Sequence, residues 1–187
     1  MNTKDRLSHT LQSIRAFSEG LLKSFSASED WFFLVHPTAN HAAWIVGHVG
    51  HVDNMCLKML RSPKYVEDTK WEGLFAPGSQ PADDVGLYPS PSELVSFWQA
   101  RRADVMALLE EQTDETLKNP VPPGSAPMFT DIGSVFELVG FHEAMHFGQL
   151  TVARQALKHP RLIDFPPSRT RTVGTQAAAK QTASATA

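Results

Sequence analysis

One cysteine, Cys56, is all the chain has, which excludes an intrachain disulfide and is compatible with a reducing compartment. No stretch comes near the ~18 apolar residues of a membrane-spanning helix. A basic excess is missing too. Seventeen Lys and Arg stand against 20 Asp and Glu, a net charge of −3, so nothing supplies the concentrated basic face that nucleic acid requires. Period-two alternation and strand–helix alternation are both absent, which argues against a sheet. The opening MNTKDRLSHT is polar and leads into an amphipathic pattern rather than a signal-peptide run, predicting a soluble cytoplasmic protein.

What the chain does have is helical periodicity in four long segments. Leu7, Leu11, Ile14, Phe17, Leu21 and Phe25 recur at spacings of three and four, predicting a helix near 4–25. A second helix spans about 40–60, with Asn40 as its expected N-cap after the extended Val35-His36-Pro37. The third begins at Ser90-Pro91-Ser92-Glu93, a capping box with proline at the first helical position. Its apolar stripe is Leu94, Trp98, Val105, Leu108 and Leu109. The fourth starts at Thr130 or Asp131 and is ended by His159-Pro160. Together these predict an all-α fold, a four-helix bundle occupying residues 1–165. The Pro- and Gly-containing connections 61–89 and 114–129 are long for links between helices. Residues 166–187, rich in Ala, Thr, Ser and Gln with three cations and no acid, are expected to be a disordered tail.

Three histidines fall on faces that the pattern turns inward. At about 100° per residue, His142, His146 and Gln149 lie within a stripe formed by Val135, Leu138, Val139, Met145, Leu150 and Ala153. His48 lies in the same way among Trp44, Ile45, Val52, Met55 and Met59. Burying a neutral imidazole without a partner costs on the order of 2 kcal/mol or more. A metal ion held by His48, His142 and His146 would offset that cost, and three nitrogen ligands leave coordination positions open for a substrate. The competing reading is three core histidines satisfied by hydrogen bonds.

The remaining polar residues near these faces carry weaker expectations. Glu143, on the border of the apolar face, is a base, an acceptor for a ligand's second nitrogen, or simply solvated. Gln149 is expected to orient a ligand or pack the bundle. His51 is a candidate for the pocket rim, whereas His41 is about 10 Å along the helix axis from His48, too far to share an ion. His9, His36 and His159 read as surface or loop residues. Arg102, on the inner side of the third helix, is expected to snorkel rather than to bind a substrate carboxylate. Cys56, Trp44, Trp98 and Phe141 read as core.

His142-Glu143-Ala144-Met145-His146 satisfies the HExxH zinc-protease pattern. The extended protease form places glycine where Gln149 stands and histidine where Val152 stands, and a helical bundle offers no edge strand for a peptide. The fuller strings are Trp44-Ile45-Val46-Gly47-His48 and Phe141-His142-Glu143-Ala144-Met145-His146-Phe147-Gly148-Gln149. In order and separation they resemble the DinB-like (DinB/YfiT) superfamily of metal-binding four-helix bundles, over residues 1–165. That resemblance implies His48, His142 and His146 as ligands of zinc or nickel, water-filled open positions, and frequent homodimers. Relatives use low-molecular-weight thiols such as mycothiol or bacillithiol, which implies a thiol-dependent S-transferase or isomerase acting on small electrophiles. A metal hydrolase with Glu143 as catalytic base, and a metal-binding stress-associated protein without turnover, stand beside it.

Overall fold

Ser90 accepts a hydrogen bond from the Glu93 amide while the Glu93 carboxylate accepts from the Ser90 amide, so the capping box read from sequence starts a helix at the expected place. Among the described residues of the computed structural model five α-helices follow one another: α1 (Thr3–Leu22), α2 (Ala42–Met59), α3 (Thr69–Phe75), α4 (Pro91–Glu110) and α5 (Ile132–Ala156). Residues 1–67, 69–82, 84–160 and 162 are described, without the side chains of Thr69 and Lys70. The tail expected over 166–187 lies outside the described residues. No strand occurs among the described residues, and α1, α2, α4 and α5 form the expected bundle. Around it the order is α1, α5, α2, α4, with the most extensive packing between α2 and α4.

One detail of capping differs from expectation. Asn40 is not the N-cap of α2; the Nδ1 of His41 accepts from the Trp44 amide at 3.1 Å. An imidazole nitrogen held in that role must be unprotonated, and burial pushes the His41 pKa down to about 4. At α5 the cap is Asp131, one of the two expected positions, whose side chain accepts from the Ser134 amide at 2.8 Å. A second unforeseen feature is α3, which lies inside the long connection 61–89 and buries Phe75 completely.

α2 is the central helix, buried on almost every side from Ala42 to Asn54. Met55 is the exception to its expected stripe, at 43% exposure. On α1 the same holds for Phe17, which turns outward while Ser18 turns in. The face of α5 is rotated relative to expectation. Its buried residues include Phe136, Val139, Gly140, Glu143, Phe147 and Leu150, so Glu143 sits at the centre and His142 about 100° away, at the edge. Met145 and Phe141 consequently point outward, Phe141 at 66% exposure. The sequence pattern centres the stripe on the histidines, whereas the bulky Phe136 and Phe147 set the buried face.

The core consists of two apolar clusters. One gathers Trp31, Trp44, Ile45, Phe75, Trp98 and Phe147, among others. The second gathers Leu11, Leu57, Leu109, Val135, Phe136 and Val139, among others, with Cys56, whose thiol burial pushes to about 12 and leaves unreactive. Between them lies a charged layer with one residue from each long helix: Arg15, Asp53, Arg102 and Glu143.

Candidate metal centre

The histidine cluster starts from a glycine. A Cβ on Gly47 would stand 2.4 Å from the Phe75 ring, so only glycine lets α3 settle this closely on α2. That approach brings the Phe75 carbonyl at the C-terminal end of α3 to 2.7 Å from Nδ1 of His48. A carbonyl only accepts, so Nδ1 carries the proton and donates it, and the Nε2 of neutral His48 is left with its lone pair. Trp44, one turn earlier, stacks on the His48 ring at 4.4 Å between centroids with 14° between planes. Its indole Nε1 donates to Ser79, whose hydroxyl donates to the Leu74 carbonyl. The ring of His48 is therefore held both in plane and in tautomer.

α5 supplies the other two. The Nε2 atoms of His48 and His142 are 3.1 Å apart, and the ring centroids of His142 and His146 are 4.5 Å apart. One nitrogen from each of His48, His142 and His146 lies within 4.8 Å of the others. All three resist protonation. Burial is the main cause, and the neighbouring imidazoles add to it, taking His142 down to about 3 and His146 to about 4. His48 is lowered by burial as well, against the pull of the Phe75 carbonyl. The Nδ1 of His146 is buried with no hydrogen-bond partner among the described residues. Three neutral imidazoles with converging lone pairs, one in a fixed tautomer and one with an unmet nitrogen, form a donor set that fits a divalent cation. The cluster could hold a metal ion.

Arg102 does not snorkel. At 3% exposure it lies inside the bundle, where Nε and Nη2 reach the two oxygens of Asp53 at 2.9 and 3.2 Å. Its Nη1 stands 2.6 Å from Oε2 of Glu143. Arg15 approaches the same two acids at 3.5 and 3.3 Å while lying over the Trp98 ring, 3.6 Å from its centroid. Snorkelling fails because two buried carboxylates on neighbouring helices compensate the cation better than a surface position reached along α4 would. Burial raises the pKa of Glu143, opposed by both guanidiniums, and lowers that of Arg15 to about 10.

Gln149 is exposed, and its carbonyl accepts from Asn40 at 3.2 Å, so it tethers the segment before α2 instead of a histidine. His51 is buried one turn past His48. His9 and His36 are exposed, whereas His159 packs against Phe25 and lies 3.5 Å from Asp30. Asp53 and Arg15 escaped the sequence reading. Asp53 left a usable signal, an acid inside a helix that is otherwise nearly all apolar, with the inward Arg102 to neutralise it. Arg15 left a weaker one, since it lies four residues after Leu11 and seven before Leu22, within about 40° of both on α1. A search of curated proteins gave no match. A sequence model of the DinB superfamily, however, matches residues 9–150, a span that includes His48, His142 and His146, and the chain belongs to that superfamily.

Proposed function

We propose that His48, His142 and His146 hold a divalent zinc or nickel ion and that the protein is a thiol-dependent S-transferase or isomerase acting on small electrophiles. The observation that carries the metal reading is the Phe75 carbonyl, which fixes the His48 tautomer so that its Nε2 lone pair meets the nitrogens of α5. When bound, a divalent ion on such a donor set lowers the pKa of a coordinated thiol and supplies thiolate at neutral pH. The chain's own part is to hold three imidazoles neutral, to bring no fourth histidine, cysteine or carboxylate into the cluster among the described residues, and to cover it with Trp44. Glu143 supports thiol chemistry over water activation. It is fully buried, and its Oε2 is shared between Arg102 and Arg15, which makes it a partner of the bundle's charges. Neither guanidinium pairs with its Oε1, and this favours the metal hydrolase as the second reading.

The test is spectroscopic and kinetic. Cobalt-substituted protein should develop sulfur-to-metal charge-transfer bands when a small thiol is added, and Glu143→Gln should reduce thiol transfer only modestly. A loss on the order of 100-fold in a hydrolytic rate on Glu143→Gln, with thiols acting as inhibitors, would instead assign the protein to metal-assisted hydrolysis. Absence of both thiol-induced bands and turnover would leave metal binding alone.

A further inference from the structure

The face of α2 that carries His48 continues through Val52, Met55 and Met59, and the face of α5 beside His142 continues through Leu138. His48 lies beside His142, and the residues one turn along in opposite chain directions, Val52 and Leu138, line a common cavity, so the two helices run antiparallel here. A cavity of about 640 Å³ therefore begins about 6 Å, one helical turn, from the histidine cluster, which is not itself part of its lining. Pro77, two residues beyond the Phe75 carbonyl that orients His48, forms part of its wall. Met128 and Phe129, from the segment preceding α5, close the far side.

The lining has a definite chemistry. Its body is methionine, proline, leucine and phenylalanine, and Met55, Met59 and Met128 adapt to an apolar guest without selecting one shape. Lys58 and Arg61 stand at the rim, and no acid lines the cavity. Neither cation takes part in an ion pair with a described residue; Lys58 lies over the Tyr65 ring at 5.0 Å. The volume is that of a small-molecule site.

We propose that this cavity binds the non-reacting part of the substrate, and that the substrate class is a small amphipathic anion, an apolar chain or ring system bearing a carboxylate or sulfonate. The binding stands on the cavity; its role as a substrate site rests on the metal-centred function proposed above. In that arrangement the apolar body lies between Met55, Met59 and Leu138, Arg61 or Lys58 attracts the anionic group, and the reacting end faces the histidines.

The experiment uses the full chain, first metal-free. 8-Anilinonaphthalene-1-sulfonate should bind saturably at one site, under conditions where the protein unfolds cooperatively, and decanoate should displace it. Decyltrimethylammonium should compete at least 10-fold less well. Met59→Trp, which fills the cavity, should weaken decanoate 10-fold or more without altering metal content. Met128→Trp, on an exposed segment, should weaken it in the same direction and keeps the test valid should Met59→Trp fail to fold. Arg61→Glu should reverse the preference for the anion. Cobalt loading should then broaden the proton resonances of bound decanoate. Unchanged affinity in the filling variants, equal binding of the anionic and cationic amphiphiles, or no broadening beside bound cobalt would each overturn the proposal. Failure to take up cobalt would instead defeat the metal-centred reading, while leaving the displacement results to decide the cavity's chemistry.

Discussion

Gly47 and Phe75 are in contact that admits no side chain: a Cβ on the glycine would stand 2.4 Å from the ring. The same α3 residue then offers its carbonyl to His48. Gly47→Ala should displace α3 and lower metal affinity 10- to 100-fold, the usual range for losing a ligand's orienting partner. Adding Phe75→Leu should recover part of that affinity by making room for the methyl group. Isothermal titration with zinc checks both steps; an affinity unchanged in Gly47→Ala would show that the carbonyl does not orient the ligand.

His48→Ala, His142→Ala and His146→Ala should each sharply reduce bound divalent metal, measured by elemental analysis after purification, while the exposed His9 and His36 should be replaceable without effect. About one metal per chain retained by the triple variant would refute the ligand assignment.

Arg102→Met should destabilise the fold by about 3–5 kcal/mol, because it leaves Asp53 and Glu143 buried with Arg15 alone to compensate them. Denaturant unfolding gives the number. Replacing Arg15, Asp53, Arg102 and Glu143 together with apolar residues of similar volume should cost less than the single change, and a larger cost would contradict the desolvation argument.

Acid should destabilise the metal-free protein between about pH 6.5 and pH 4, and His41 should carry a separable share. Its folded pKa of about 4 lies below the ordinary 6.5, so the unfolded chain binds the proton more readily in this window. The stabilising contribution is accordingly complete above 6.5 and is lost as the pH falls toward 4, at no more than about 1.4 kcal/mol per unit. His41→Asn retains a good N-cap and removes the titration, so its unfolding free energy should depend less steeply on pH. An identical slope in the variant would assign the acid sensitivity elsewhere.

The helices were legible because their signals are local. Ser90-Pro91-Ser92-Glu93 announces α4, and the spacing of Leu94, Trp98, Val105, Leu108 and Leu109 marks the face that the structure buries. His48, His142 and His146 were legible as polar residues beside apolar neighbours, and they do come together. The rest depends on what lies across the bundle. Helix α3 is too short to show a period, and it exists because Phe75 finds the space above Gly47. Glu143 reads as a border residue when the imidazoles mark the middle of the stripe, whereas Phe136 and Phe147 set its direction. Arg102 was identifiable as inward-facing, but its partners come from α2 and α5, at sequence separations that no pattern within α4 encodes.

The charged layer also acts as an axial lock. Asp53 lies five residues beyond His48 on α2, and Glu143 directly follows His142 on α5, with Arg102 joining the two acids from α4. Leucine packing alone is forgiving of a helix that slides by one turn, since one apolar rung resembles the next. A slide of about 5.4 Å would pull Glu143 away from its guanidiniums and strand both signs of charge in the interior. It would carry His142 and His146 away from His48 by the same distance. The ion pairs thus gauge the helices against one another, and the spacing of the three histidines is inherited from that alignment.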